Sequence, residues 1–172
     1  MAHVFIGAGS NIDPEGNVKK ALKLLNSQVR ILKISTFYKT KPENRPEQSP
    51  YYNGVVEIET NFSPGHLKHK ILRLIEEQLG RKRGKDRYAS RTIDLDLLLY
   101  DHLIIKIGDL ILPDPEILER PYLIIPLLEL DPDIILPGNE TPLKNEWIVS
   151  PPDSMEPLNS FTENLRKEIL YG

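Results

Sequence analysis

The spacing of apolar positions divides the chain into short strands and amphipathic helices. Residues 3–9, HVFIGAG, are a compact apolar run closed by glycines and predict a first strand. Asp13 as N-cap with Pro14 after it marks a helix start, and Val18, Ala21, Leu22 and Leu25 follow at helical spacing. Residues 29–40 are β-rich and alternate through Ile31, Lys33, Ser35 and Phe37. The polar stretch KPENRPEQSP, residues 41–50, predicts a mobile loop, and a third strand is expected over 52–60. Ser63 and Pro64 open a second helix with Leu67, Ile71, Leu74, Ile75 and Leu79 on one face before Gly80 stops it. A basic loop and another strand complete the order β-α-β-β-α-β, the split βαβ or ferredoxin-like pattern.

Beyond residue 100 the periodicity weakens. RPYLIIPLLELDPD suits a short helix or an extended crossing segment, and its two prolines limit either. Residues 137–159 are proline-bearing and poor in apolar side chains, so a surface loop is expected. Ser160 and Glu163 form a capping-box pattern ahead of Phe161, Leu165 and Ile169, which predicts a docked terminal helix. One domain is expected over 1–172, α+β in class, with a core of about 1–137 and a C-terminal extension at 138–172.

The strand RTIDLDLLLYD, residues 91–101, breaks its own pattern. Side chains alternate along a strand, so Asp94 and Asp96 share a face while Ile93, Leu95 and Leu97 share the other. From Leu97 to Leu99 both faces are apolar, as in a strand covered on both sides. Two adjacent carboxylates at the entrance to a core call for a cation between them. The preceding loop supplies cations at Arg81, Lys82, Arg83, Lys85, Arg87 and Arg91. Alone, that loop suits a solvated turn whose first charges favour the end of the second helix. Next to the acids it suggests the two halves of a Mg–polyphosphate site: hard oxygen ligands beside guanidiniums that clamp oxyanions. An internal ion pair between the aspartates and these arginines is the plainer alternative.

Net charge is −3, which argues against a general nucleic-acid or membrane-surface binder, and 40% hydrophobic with 27% charged residues suits a soluble globular protein. Cysteine is absent, which rules out thiolate metal sites and disulfides. With no signal-like or membrane-length apolar run, a cytoplasmic protein is expected. GAGSN, residues 7–11, lies between strand and helix but lacks the last glycine of a dinucleotide loop, because Ile12 stands there, and no Walker A sequence exists. Tyr51 and Asn53 alternate onto one strand face; an aromatic and a carboxamide suit a flat heterocycle, and equally suit ordinary strand packing. His3, His66, His69 and His102 show no metal-ligand spacing, and His66 and His69 are expected to face solvent.

RYASRTIDLDLLLY resembles the signature of the 6-hydroxymethyl-7,8-dihydropterin pyrophosphokinases of folate synthesis. In that family an arginine, a small pair and a second arginine precede D-x-D and an aliphatic run; here these are Arg87, Ala89-Ser90, Arg91, Asp94, Asp96 and Leu97-Leu98. GAGSN, FYKT (37–40), YYNGVVEIET (51–60), EEQLGRKR (76–83) and ERPYLIIPLLEL (119–130) follow the family in order over roughly the first 137 residues. The resemblance implies a ferredoxin-like fold and transfer of diphosphate from ATP to the pterin's hydroxymethyl oxygen, with release of AMP. It implies that Asp94 and Asp96 hold two Mg²⁺ ions, with Mn²⁺ an equally suited oxygen-ligand ion. Arg81 and Arg91 would lie against the phosphates as catalytic groups. Glu76, Arg83, Arg87 and Arg120 would contact ATP, and Tyr51, Asn53 and Tyr122 the pterin. Partners are then ATP and the pterin, with neither nucleic acid nor membrane; partnership with the next folate-pathway enzyme is left open.

The chain departs from the family's pattern at Asp114, where many members have histidine, and at Tyr88, where tryptophan is frequent. KPENRP replaces a glycine-bearing loop, and nothing in the extension is assigned. Two other functions compete: a Mg-dependent nucleotidyl or phosphoryl transferase with another hydroxymethyl acceptor, and a ferredoxin-like regulatory or RNA-binding module.

Overall fold

The computed structural model of the chain describes residues 1–42, 44–146 and 151–172. An antiparallel sheet runs in the order β5 (Asp94–Tyr100), β1 (Ala2–Ser10), β4 (Tyr51–Thr60), β3 (Tyr38–Thr40) and β8 (Glu156–Pro157). A further strand, β2 (Arg30–Ile34), also pairs with β4. The long apolar runs of β1 and β4 are central and pair along their whole lengths, from Ala2 opposite Thr60 to Ser10 opposite Tyr52. Since directly opposed residues share a face, this register decides which side chains meet above the sheet.

The β-rich stretch at 29–40 is one edge in two pieces. Between β2 and β3, Ser35 donates its N–H to the carbonyl of Val55, and its hydroxyl accepts from the N–H of Val55 at 2.9 Å. This side-chain bond replaces a ladder bond where the strand bends, and Phe37 turns fully into the core. From β1 to β5 the described residues give a strand, a helix, three strands, a helical segment and a strand, with the expected second strand broken into β2 and β3 and the third beginning at Tyr51.

One sheet face is covered by α1 (Pro14–Gln28), by α5 (Asn159–Leu170) and by a continuous rod. The rod consists of α2 (Pro64–His66), a π-helical stretch Leu67–Leu72, and α3 (Arg73–Gln78). Val18, Leu22, Leu25, Leu67, Ile75, Leu165 and Ile169 fill that layer. The other face is covered by α4 (Pro121–Leu130), which packs Leu123, Ile124, Leu127 and Leu128 against Phe5, Val55 and Leu98. The ambiguous proline-bearing segment is therefore a helix: burial of these side chains outweighs the roughly 3 kcal/mol that an internal proline such as Pro126 costs.

Several local expectations are corrected. Asp13 occupies the N-cap of α1 but in a left-handed conformation, φ 40°, without a side-chain capping bond. Ser63 does cap, accepting from the N–H of His66 at 3.2 Å. Leu74 is 49% exposed rather than on the core face, and Leu72 is buried instead. The π-helical stretch carries one extra residue per turn, so the apolar stripe steps by one position. The capping box at Ser160 and Glu163 does not form; the cap is Leu158, with no side-chain bond, and Ser160 lies inside the helix. Its start is set by tertiary contact, because Leu158 donates its N–H to the carbonyl of Phe37 at 2.8 Å.

The described residues within 137–159 do not form a simple surface loop. They hold a 3₁₀ turn at Leu143–Asn145, with Leu143 buried, and β8, which pairs with β3. The expected loops over 41–50 and 137–159 also contain residues 43 and 147–150, which lie outside the described residues. A hairpin of β6 (Ile105–Ile107) and β7 (Leu110–Leu112) stands off the main sheet. No helix of the described residues is long and apolar enough to cross a membrane.

Candidate active site

The cleft lies on the α4 face of the sheet, where the side chains of β1 run out. Gly9 stands between Asp94 on β5 and Asn53 on β4, and Gly7 between Asp96 and Val55. Of these two glycines, Gly9 lines the cleft and leaves floor between an acidic edge and an amide edge, while Gly7 lies under Leu123. Their lack of a side chain is required by close approach: a Cβ on Gly9 would overlap Asn53 Oδ1, and one on Gly7 would crowd Leu123 of α4 at 3.3 Å. The resulting cleft has a volume of about 370 Å³. Every residue that the family resemblance places at the site lines it: Tyr51, Asn53, Glu76, Arg81, Arg83, Arg87, Arg91, Asp94, Asp96, Arg120 and Tyr122, whereas Lys82 and Lys85 of the basic loop do not.

Its acidic edge is built from the strand and the rod together. β5 is an edge strand, and the N–H of Leu95 on its outer side donates to Glu76 Oε2 at 2.9 Å. Glu76 reaches that bond because the π-helical stretch turns it inward; its side chain is 3% exposed. Both its oxygens also accept from arginines, one from Arg81 and one from Arg83. Burial raises the Glu76 pKa, against the lowering effect of the Leu95 bond and the arginines. Arg81 continues to Asp94 Oδ1 at 2.8 Å, while Arg91 holds Asp94 Oδ2 at 2.8 Å. Burial would lower the Arg81 pKa, but the charges of Asp94 and Glu76 prevail and raise it.

Asp96 differs sharply from Asp94. It is half-buried, and no hydrogen bond reaches its carboxylate among the described residues. Its pKa is pushed well above the ordinary aspartate value, first by burial and then by Asp94, Asp114, Glu116 and Glu76. A carboxylate set among four others, with free oxygens facing a cleft, fits a hard cation by its chemistry. Among the described residues no group of three or more side chains is arranged to hold a metal ion. Two aspartates are nevertheless a sufficient protein share for Mg²⁺, which takes its remaining ligands from water and phosphate.

At the opposite edge, Asn53 donates from Nδ2 to Thr40 Oγ1 at 2.8 Å, which leaves its oxygen over Gly9. Tyr51 lies two positions along the same face and is raised in pKa by burial. Tyr122, in the first turn of α4, accepts from Arg120, whose guanidinium is 5.7 Å from the ring centroid and 3.2 Å from Glu116. Arg83 and Arg87 are exposed at the rim, and Arg87 lies over the Tyr88 ring at 5.1 Å.

The two loops at the mouth are tied together. Arg45 pairs with Asp86 at 2.7 Å and Gln48 donates to the carbonyl of Tyr88 at 2.9 Å; the N–H of Arg91 is anchored separately, donating to Asn11 Oδ1 just after β1 at 2.7 Å. Sequence reasoning missed Thr40, Gln48, Lys68, Arg73, Asp109 and Glu116, all of which line the cleft. Lys68 and Arg73 come onto one face because the π-helical stretch bonds the N–H of Arg73 to the carbonyl of Lys68, five residues back. Asp109 of the β6–β7 turn holds both, and also bonds His69 at 2.8 Å. His69 is therefore partnered while still partly exposed, and His66 is exposed and stacks on Phe62.

A profile of the 7,8-dihydro-6-hydroxymethylpterin-pyrophosphokinase (HPPK) family matches residues 5–132, the span that contains every one of these cleft residues. The chain belongs to this family. It is 37% identical over 143 residues to the 2-amino-4-hydroxy-6-hydroxymethyldihydropteridine pyrophosphokinase of Haemophilus influenzae, covering 81% of this chain and 88% of that one. The Aquifex aeolicus protein of the same name is 36% identical over 145 residues, covering 84% and 89%. Among solved structures, an HPPK-DHPS in complex with substrates superposes with a TM-score of 0.65 at 12% identity. That alignment covers 97% of this chain but 44% of the larger one, so the present HPPK-family chain spans under half of that protein.

Proposed function

We propose that this chain transfers diphosphate from ATP to the hydroxymethyl oxygen of 6-hydroxymethyl-7,8-dihydropterin and releases AMP, as a cytoplasmic single-domain enzyme of folate synthesis. The observation that carries this reading is the division of one cleft: an acid pair among arginines at one edge, an amide with two tyrosines at the other, and glycine floor between. The strand order and the broken second strand agree with a ferredoxin-like βαββαβ core. The extension at 138–172 adds β8 and α5 to it.

In this reading Asp94 and Asp96 hold two Mg²⁺ ions through their carboxylate oxygens. Bound there, the ions would offset phosphate charge and ease deprotonation of the hydroxyl. The rest falls to the chain's own residues. Asn53 and the rings of Tyr51 and Tyr122 hold the heterocycle and point its hydroxymethyl group toward the acids. Arg81 and Arg91, which bond Asp94 and line the cleft beside it, present guanidiniums to the phosphate oxygens. Arg120, tethered by Glu116 and the Tyr122 hydroxyl, faces the nucleotide from α4, and Glu76 holds the edge of β5 in place. Arg83 and Arg87, on the rim, close over the phosphates and exclude water, which would compete as nucleophile.

The deciding experiment mixes purified protein, MgATP and the pterin, and follows AMP together with pterin diphosphate. Equal amounts of both are expected. ADP as product would mean transfer of a single phosphoryl group and would overturn the reading.

A further inference from the structure

The extension beyond residue 137 lies outside the segment that matches the family, which ends at residue 132. Yet it is fastened to the site. Residues 155–166 grip the edge that carries β3 at four points: β8 pairs Pro157 with Tyr38, Leu158 donates to the carbonyl of Phe37 at 2.8 Å, Thr162 Oγ1 accepts from the N–H of Phe37 at 2.9 Å, and Arg166 donates to the carbonyl of Ile34 at 2.9 Å. From this segment Met155 faces the site's side of the molecule. Met155, 6% exposed, forms a small buried cluster with Tyr38 of β3 and Ile125 of α4, separate from the two larger cores. Tyr122 packs against that cluster and also lines the cleft. Tyr38 is directly opposite Asn53 across the β3–β4 pair, and β3 supplies the Thr40 oxygen that fixes the Asn53 amide.

We propose that Met155 is a positioning residue for the heterocycle pocket: it wedges between β3 and α4 and sets the distance between Asn53 and Tyr122, the two walls that grip the flat ring. The inference rests on the function proposed above. A thioether fits this place physically. Its unbranched chain fills the irregular gap between a strand and a helix, and it favours contact with aromatic rings, here Tyr38 and Tyr122. Shortening it would let the helix end and the strand close or slide, which changes ring binding at one edge of the cleft. The acid edge on β5 lies three strands away and keeps its own contacts.

Fluorescence titration of the pterin, in the presence of a non-hydrolysable MgATP analogue, tests this with wild type, Met155→Ala, Met155→Leu and Ile169→Ala. Ile169 is equally buried but packs in the main core under α5, so it reports the cost of lost packing alone. Met155→Ala is expected to weaken pterin binding by about fivefold or more, from cavity relaxation at the wall, while nucleotide affinity changes less than about twofold. Met155→Leu should restore most of the affinity. Ile169→Ala should lower the melting temperature at least as much and leave the pterin titration unchanged. Unaltered pterin affinity in Met155→Ala would overturn the proposal, as would an equal loss for pterin and nucleotide. Met155→Val serves if the alanine variant does not fold, and failure of both to fold would assign Met155 to stability alone. Wild type that binds no pterin would instead sink the parent reading and this one together.

Discussion

The two edges of the cleft are built on different principles. At the β5 edge, Glu76, Asp94, Arg81 and Arg91 form a network in which each charge has a partner, whereas no hydrogen bond or ion pair reaches the Asp96 carboxylate among the described residues. At the β3–β4 edge, Asn53 is aimed by one hydroxyl, Thr40, and Tyr122 is held by packing behind it and by the Arg120 guanidinium that donates to its hydroxyl. The difference teaches where each edge is vulnerable. Removing a member of the charged network leaves buried charge behind, whereas removing a member of the packed edge loosens one ligand's grip and little else.

The sharpest way to break the comparison is Asp96→Asn. If Asp96 is the free carboxylate of an enzyme, turnover should fall about a thousandfold or more while the fold stays intact or gains stability. Full activity in that variant would remove the metal-ligand assignment. Arg81→Ala comes next: it removes one of the two arginine partners from each of Glu76 and Asp94 at a largely buried position, and chemical denaturation should show a loss of about 3 kcal/mol. Arg83→Ala, at the exposed rim, should cost less than about 1 kcal/mol, and equal losses would mean the network is not the unit described.

Asn53→Ala should weaken pterin binding by about tenfold and leave MgATP affinity unchanged. Gly9→Ala should mimic it, because the added methyl would overlap the Asn53 oxygen. A loss of nucleotide affinity in either would show that the edges are not separate.

The smallest effect is in pH. Burial, and then the neighbouring carboxylates, raise the Asp96 pKa, so the folded chain binds that proton more tightly than the unfolded one. Stability from this group therefore falls as pH rises from about 4, the unfolded value, up to the folded pKa. Without divalent metal, the melting temperature of wild type should decline through that window by more than that of Asp96→Asn. Identical pH profiles would mean that Asp96 is not under strain.

Much of the charged edge is legible in the sequence because strand alternation and a contiguous basic loop both act over short spans. D-x-D on an apolar strand fixes two carboxylates on one face, and Arg81 to Arg91 lie one loop away. The π-helical stretch is not legible: Leu67, Ile71, Leu74 and Ile75 satisfy an ordinary helical stripe, and only packing selects the shifted one that buries Leu72 and Glu76. For the same reason Lys68 and Arg73 pass unnoticed. The start of α5 illustrates a second limit. Ser160 and Glu163 offer a local cap, but the contact of Leu158 with Phe37, 121 residues away in sequence, sets the boundary instead. The role of Met155 is equally non-local, since its partners Tyr38 and Ile125 come from opposite ends of the pattern.

The row Asp94–Gly9–Asn53 also governs where the chain tolerates insertions. A strand repeats every two residues, so one residue added to β1 between Gly7 and Gly9 would exchange the sheet's faces beyond it and put an alanine or serine side chain on the cleft floor. One residue added at the β6–β7 turn, where Gly108 is exposed and has open space around it, displaces nothing in the row. A library of single-residue insertions should thus divide cleanly, with β1, β4 and β5 intolerant and the turn at 108 permissive, tracing the sheet's register in survival data without any substitution at the site itself.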